Sequence, residues 1–423
     1  MAGGRGTRLA EAFPGLPKPL VPVCGKPILQ RQLEALRTQG VTEITLVTGH
    51  LAEQIEAVFG SGESLGVRLS YFTEKTPLGT AGALFRLPLK EDFLLLGADI
   101  LFDFNLPSML AFHRAHGALA TLFAHPNSHP ADSTLIEADA AGKITRFLPK
   151  EGRAGDHANL CNAGIHVLSP ALLKAYPQTG YADLDRDILV PAALAGQAYA
   201  YKSYEYAKDM GTPQRLAAVE KDLAAGIVES KNAAKKQRAV FLDRDGTLNV
   251  HNGFISSPGA LTLIPGAGEA VRRINGAGYL AVLATNQPVI ARGECTWEGL
   301  RAIHNKLETL LGVCGAYLDG IYVCPHHPEG GFPGEVPELK IQCECRKPAP
   351  GLLMKAAREM NIDLAASYMV GDSLRDIECA ANAGSTPVFL GGALPENAPE
   401  NTLLFPDLNA FAAAVFPEGG KRA

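Results

Sequence analysis

One pattern constrains this chain more than any other: short apolar runs that stop on a polar or acidic residue. From residue 239 onward they read "AVFLD", "YLAVLATN", "GIYVCP" and "SYMVGD". Runs of this length, parted by longer amphipathic stretches, predict buried strands of a parallel sheet crossed over by helices. In such open sheets the chemistry gathers at the carboxyl ends of the strands. Residues 1–225 alternate in the same way, with "EITLVTG", "FLLLGAD" and "AGIHVLS" as strands and "ILQRQLEALRTQG" as a helix closed by glycine. Between the halves, "GIVESKNAAKKQR" is polar and poor in bulky apolar groups. The expected fold class is therefore α/β in two domains, 1–225 and 239–423, joined by a linker over 226–238. A length of 423 residues accommodates this. The halves share no repeat and carry different motifs.

Composition sets limits on partners. The formal net charge of -5 leaves no basic excess to neutralise a nucleic-acid backbone. No apolar run approaches the ~18 residues that cross a bilayer. No basic, apolar and small-residue leader is present. The expectation is a cytoplasmic protein acting on small molecules, without nucleic-acid or membrane partners; its oligomeric state is not legible. Of the eight cysteines, Cys24, Cys161, Cys295, Cys314 and Cys379 are scattered and read as small apolar residues. Cys324, Cys343 and Cys345 lie around "CPHH" and need another explanation.

The second half carries a set of charged groups at strand ends. "FLDRDGTLN" places Asp243 and Asp245 two residues apart on an extended segment, so both carboxylates can face one pocket. Downstream follow "TNQ" from Thr285 to Gln287, "CRKP" with Arg346 and Lys347, and "GDSLRD" with Asp372 and Asp376. One carboxylate to attack phosphorus, one acid to protonate the leaving oxygen, and a lysine and hydroxyl to neutralise phosphoryl oxygens around Mg²⁺ is what phosphoryl transfer through an aspartyl-phosphate requires. Asp376 either supports the metal from behind or caps the helix that begins there. Cys324, Cys343 and Cys345 with His326 or the adjacent His327 supply four donors for tetrahedral Zn²⁺. A filled set of four has a structural role.

In their order, the four motifs resemble the haloacid dehalogenase superfamily across residues 239–395. The resemblance implies a Rossmannoid sheet with Asp243 as nucleophile and Asp245 as general acid/base. It also implies Mg²⁺ on Asp243, Asp245 and Asp372, and a phosphoryl group held by Thr285, Asn286, Arg346 and Lys347. The Cys-x-His and Cys-x-Cys pairs resemble the zinc loop of the histidinol-phosphate and heptose-bisphosphate phosphatase branch. That likeness selects His326 over His327 as the fourth ligand. "TNQPVIARGECT" is more similar to the heptose 1,7-bisphosphate pattern, although Pro288 and Val289 stand where Ser-Gly is usual. Arg292 there either meets the distal phosphate or is a surface residue.

The opening "MAGGRGTRLAEAFPGLPKPL" is a glycine-rich loop with only Met1 and Ala2 before it. Gly3, Gly4 and Gly6 let backbone N–H groups approach phosphates, while Arg8 and Lys18 add full charges. With "PKPL" it resembles the sugar-phosphate nucleotidyltransferases, the mannose-1-phosphate guanylyltransferase group in particular, over residues 1–225. By that resemblance the domain has a Rossmann-like sheet. Glu74, Gly79 and Thr80 would contact base and sugar. "NAGIHVLSP" contributes Asn162 and Gly164; Asn162 and Lys150 would bind the nucleotide or sugar phosphate, and Asp99 and Asp209 would hold Mg²⁺. Taken singly, Asp99 reads as a strand-end turn residue and Asp209 as a helix N-cap. "RFLPKEG" departs from the family in having Pro149 where a glutamate is usual. Since the strand before such a loop is central, the natural chain is expected to begin several residues earlier.

A phosphatase that leaves a sugar 1-phosphate and a transferase that consumes one form consecutive steps toward a nucleotide-activated heptose for lipopolysaccharide. The guanylyltransferase likeness favours GDP and the α-anomer route. The competing readings are a histidinol-phosphate phosphatase joined to a non-catalytic nucleotide-sugar-binding regulatory domain, and a first domain that serves only in oligomerisation.

Overall fold

The computed structural model describes residues 1–4 and 7–417. The chain divides into two compact units. The first holds Met1–His125, Ile136–Leu148 and Asn162–Asn232; the second holds Pro126–Leu135, Pro149–Cys161 and everything from Ala233. Two short segments of the first half thus belong to the second unit. There the His157 N–H donates to Thr309 Oγ1 at 2.9 Å and Asp156 pairs with Lys306 at 3.5 Å. The 226–238 stretch, read as a linker or helical spacer, contains a short helix. Ile227–Ser230 is a helix whose Ile227 and Val228 are buried with Leu216 and Val219, since its few apolar residues suffice to dock it. Gln237 bridges to Ile362. No helix among the described residues is long and apolar enough to cross a membrane.

In the second unit six strands form one parallel sheet. Their order across it is Gly320–Cys324, Leu280–Asn286, Ala239–Leu242, Tyr368–Gly371, Thr386–Leu390 and Leu403–Phe405. Ala239–Leu242 is buried throughout, as a near-continuous apolar run in a sheet covered on both faces should be. The chain steps from that strand to one side, then returns to its other side. The carboxyl ends of the three middle strands therefore converge at a switch point. Asp243, Thr285 and Asp372 stand there. One face is sealed by Val271, Ile274, Phe411 and Phe416, with Phe411 edge-on to Tyr368, Phe405 and Phe416.

The first unit is mixed where mostly parallel pairing was expected. Glu43–Thr48 runs parallel to Arg68–Thr73, and Ala120–His125 parallel to Ala198–Lys202. Cys161–Leu168 runs antiparallel to Phe93–Leu96, and Tyr206–Asp209 antiparallel to Ile100–Asp103. Met1 and Ala2 lie between two of these strands. The Ala2 N–H donates to Val47 O at 2.7 Å, the Ala98 N–H to Met1 O at 2.9 Å, and the Met1 amine to Leu96 O at 2.8 Å. These bonds carry the chain directly into the loop at Gly3 and Gly4; Gly6 lies outside the described residues.

Phe411 is fully buried, so Phe411→Ala should lower the unfolding free energy of the second unit by about 3–5 kcal/mol. A denaturant titration that finds a loss under about 1 kcal/mol would show that this cluster does not seal the sheet.

Candidate active sites and metal centre

In the second unit the first strand delivers Asp243 at its end. Gly246, at φ +84, then folds the chain back so closely that a Cβ would collide with the Asp372 carboxylate. Lys347 is 2% exposed, and its Nζ lies 2.8 Å from Asp243 Oδ1 and 2.6 Å from Asp376 Oδ1. These are close ion pairs, not aligned hydrogen bonds. Burial pulls the ammonium pKa down, but the two carboxylates outweigh it and hold Lys347 above its usual range. Burial pushes the Asp243 carboxyl up to about 6, opposed by Lys347 and reinforced by Asp376. Asp376, itself buried, caps the helix, one of the two roles that its position suggested, and also pairs with Lys347. One oxygen accepts from the Ser373 N–H at 3.1 Å and its hydroxyl at 2.6 Å to cap the helix Leu374–Ala383; the other faces Lys347.

The carboxylates of Asp243, Asp372 and Asp376 lie within 4.8 Å of one another, a donor set that suits Mg²⁺. The Asp245 side chain is not in that set, contrary to expectation. Arg244, fully buried, grips it through Nε and Nη2 at 3.0–3.2 Å. Asn249 Nδ2 donates to it at 3.0 Å and Gln287 Nε2 at 2.9 Å. Gln287 also donates to Thr285 Oγ1 at 2.9 Å and so ties the two motifs together. Three donors thus orient the expected acid/base, and the sequence reading assigned none of them a role. Asn286 is fully used in another way: its amide brackets Lys347, donating to the Lys347 carbonyl and accepting its N–H. Arg346 turns Nη1 to the His326 carbonyl at 3.1 Å. Arg292 stacks between Phe254 and Phe332, with ring centroids at 4.5 and 4.0 Å, and pairs with Glu294 at 2.6 Å.

Cys324, His326, Cys343 and Cys345 converge within 4.8 Å. Neighbouring donor atoms are 3.3–3.7 Å apart, close to the ~3.8 Å edge of a tetrahedron built on Zn–S bonds of about 2.3 Å. His327 points elsewhere, to Glu329 O and the edge of Phe332. The group fits Zn²⁺, with His326 as its imidazole.

In the first unit Asp99 and Asp209 end neighbouring stretches, joined where the Met210 N–H donates to Asp99 O at 3.0 Å. Lys18 pairs with Asp99, and Arg215 with Asp209 at 2.9 and 3.1 Å. Arg8 Nη2 and Lys18 Nζ both approach Gly211. The helix Pro213–Ala224 is capped by Thr212, so Asp209 is left free of that duty. Gly3 lies against Glu74, whose carboxyl burial pushes up. Gly79, at φ +79, meets Ala182 so closely that a Cβ would strike its carbonyl. Thr80 accepts the Leu184 N–H at 2.7 Å. Asn162 donates to Asp185 at 3.4 Å. Arg215, Asp183 and Asp185 were not anticipated. Lys150 belongs to the second unit, where it pairs with Asp132 at 3.2 Å.

A nucleotidyl transferase family model matches residues 1–226, and a HAD-hydrolase-like model matches residues 344–400. A D-glycero-beta-D-manno-heptose-1,7-bisphosphate 7-phosphatase of Yersinia pestis is 46% identical over 149 residues, covering 35% of this chain and 77% of that protein. Its namesake in Escherichia coli (strain K12) is 43% identical over 154 residues, 36% of this chain and 78% of that protein. A D,D-heptose 1,7-bisphosphate phosphatase from B. bronchiseptica, solved with magnesium and phosphate, aligns over 43% of this chain and 100% of its own, with 36% identity and a TM-score of 0.38.

Elemental analysis of the purified chain should find one tightly held zinc. Cys345→Ser should release it and lower the thermal midpoint by several degrees; zinc retained at full stoichiometry would refute the assignment. His304, 7% exposed, is held down to about 3 by burial and by Arg244. It is neutral when folded but takes up a proton when unfolded. Stability should therefore fall as the pH drops below about 6.5 towards 3, by up to ~1.4 kcal/mol per pH unit from this group. Unfolding titrations of His304→Gln should show a flatter profile.

Proposed function

The chain belongs to the nucleotidyl transferase family through its first half and to the heptose-bisphosphate phosphatases through its second, and from that premise we propose a two-step enzyme. The second unit hydrolyses the 7-phosphate of D-glycero-D-manno-heptose 1,7-bisphosphate. The first then transfers GMP from GTP to the heptose 1-phosphate and releases pyrophosphate. The observation that carries this reading is the Asp243–Lys347–Asp376 cluster beside a Cys/His loop, in a unit whose curated relatives are named for that bisphosphate. We place the reaction in the cytoplasm, where activated sugars for lipopolysaccharide would be assembled.

In the phosphatase unit Asp243 attacks phosphorus and the C7 oxygen leaves with a proton from Asp245. Asp245 then takes the proton of the water that opens the aspartyl-phosphate. Arg244, Asn249 and Gln287 fix the direction in which its carboxyl faces. Lys347 and Thr285 meet the equatorial oxygens. Asp243 and Asp372, with Asp376 behind, would hold Mg²⁺, which would supply the further positive charge that phosphoryl transfer needs. In the transferase unit a 1-phosphate oxygen attacks the α-phosphorus in line, with no covalent intermediate, so positioning and neutralisation carry the rate. Gly3 and Gly4 offer backbone N–H groups, and Arg8 and Lys18 offer charge. Asp99 and Asp209 are our candidates for a Mg²⁺ there, because triphosphate oxygens would draw Lys18 and Arg215 away from them.

The test records phosphate and pyrophosphate separately, with the β and α bisphosphates each supplied alongside each nucleoside triphosphate. The β anomer comes first, since the relatives are named for it. Asp243→Asn should abolish phosphate release yet leave pyrophosphate release from heptose 1-phosphate intact. Lys18→Ala should do the reverse, with a loss of about hundredfold. Pyrophosphate formed from the bisphosphate without prior phosphate release would overturn the order, and phosphate without pyrophosphate under any triphosphate would remove the transferase.

A further inference from the structure

Asn162 is held in one orientation. Its Oδ1 accepts the Gly164 N–H at 3.1 Å and meets His166 Nε2 at 3.0 Å. His166 is 4% exposed and burial holds it down to about 4, so the ring is neutral, with its proton on the nitrogen that faces Asn162. Among the described residues its Nδ1 has no partner. With both donors on the oxygen, the Asn162 amide must present Nδ2 outward, and there it reaches Asp185 Oδ1 at 3.4 Å.

Asp185 opens a π-helical turn, Asp185–Leu189, anchored by the buried Ile188 and Leu189. Such turns often mark functional positions. The preceding residues are fastened to the segment that holds Gly79 and Thr80: Gly79 bridges Ala182, and Thr80 bonds Leu184 and Asp183. The nearest cation in sequence, Arg186, is committed to Asp187 at 2.7 and 2.9 Å. Among the described residues Asp185 is thus left half-buried with one long hydrogen bond and no cation, while burial and Asp183 push its carboxyl up to about 6. A carboxylate in this state needs donors. Phosphate oxygens cannot supply them, but sugar hydroxyls can. A carboxylate beside an amide N–H offers acceptor and donor together, the pattern that adjacent hydroxyls match. Gly164, two residues on from Asn162, packs against Ile100, so the pair lies on the Asp99 side of the unit.

We infer that Asp185, aligned by Asn162 and His166, binds hydroxyl groups of the sugar 1-phosphate and helps to decide which sugar the transferase unit accepts. This rests on the transferase reading above.

The test compares the full chain with Asp185→Asn and Asp185→Glu, using heptose 1-phosphate, mannose 1-phosphate and singly deoxygenated mannose 1-phosphates against GTP. Asp185→Asn should raise KM for the sugar phosphate about tenfold or more and leave KM for GTP within about twofold, with an unchanged melting temperature. Asp185→Glu should recover part of that loss. One deoxy analogue should be penalised by the wild type and no further by Asp185→Asn, which marks the hydroxyl read. An unchanged sugar KM, a rise in KM for GTP alone, or penalties that add for every analogue would overturn the inference. Wild-type chain that uses none of the sugar phosphates would instead refute the transferase reading, and this inference with it.

Discussion

A single buried ammonium organises the second unit. Lys347 stands between Asp243 and Asp376 with almost no access to water. A buried cation without carboxylates is not tolerated, and three carboxylates this close do not stay ionised together without a cation. Each therefore fixes the other. Asp376 meanwhile caps the helix that carries it, and Asn286 brackets the Lys347 backbone from the neighbouring strand. The strand ends, the helix start and the loop after the zinc cluster are thus joined at one electrostatic node. Such a node also prepares a site for phosphate, because a phosphoryl group brings negative charge to a lysine that is already positioned and dehydrated.

The sequence made most of this node readable because its residues follow apolar runs, and a charged group directly after a buried strand has few places to go. The zinc donors were readable from chemistry: three thiols and an imidazole in paired spacing. Hidden were the residues whose role depends on convergence. Arg244 sits inside a quoted motif, yet nothing in "DRDG" says that the arginine turns inward to hold the aspartate beside it. Gln287 and Asn249 reach Asp245 from separate loops. In the first unit nothing in "YADLDRD" says that its backbone is fastened to Thr80. The short helix in the 226–238 stretch, Ile227–Ser230, fits a helical spacer, and its docking through Ile227 and Val228 shows how little apolar surface a helical turn needs.

The two sites solve the same electrostatic problem in different ways. In the phosphatase unit the cation is buried and permanent. In the transferase unit Lys18 and Arg215 rest on Asp99 and Asp209, partly open to water, and in the proposed reaction they would act as exchangeable counter-ions. Such pairs contribute little to stability because solvent screens them, so a triphosphate can take the cations at small cost. A site that must admit and release a large anion each turnover benefits from cations held this loosely, whereas covalent phosphoryl transfer benefits from one that never moves.

The acidic lining near Asn162 bears on the order of the two reactions. If Asp183 and Asp185 face the sugar, a substrate that still carries its 7-phosphate brings a second anion towards them. A phosphate charge about 6 Å from a carboxylate costs ~3 kcal/mol at an effective dielectric of 20, roughly a hundredfold in affinity. The same carboxylates welcome the hydroxyl that remains once the phosphate is gone. Selection for the dephosphorylated sugar then needs no communication between the units. It would follow from the charge that the transferase unit places near the far end of the sugar.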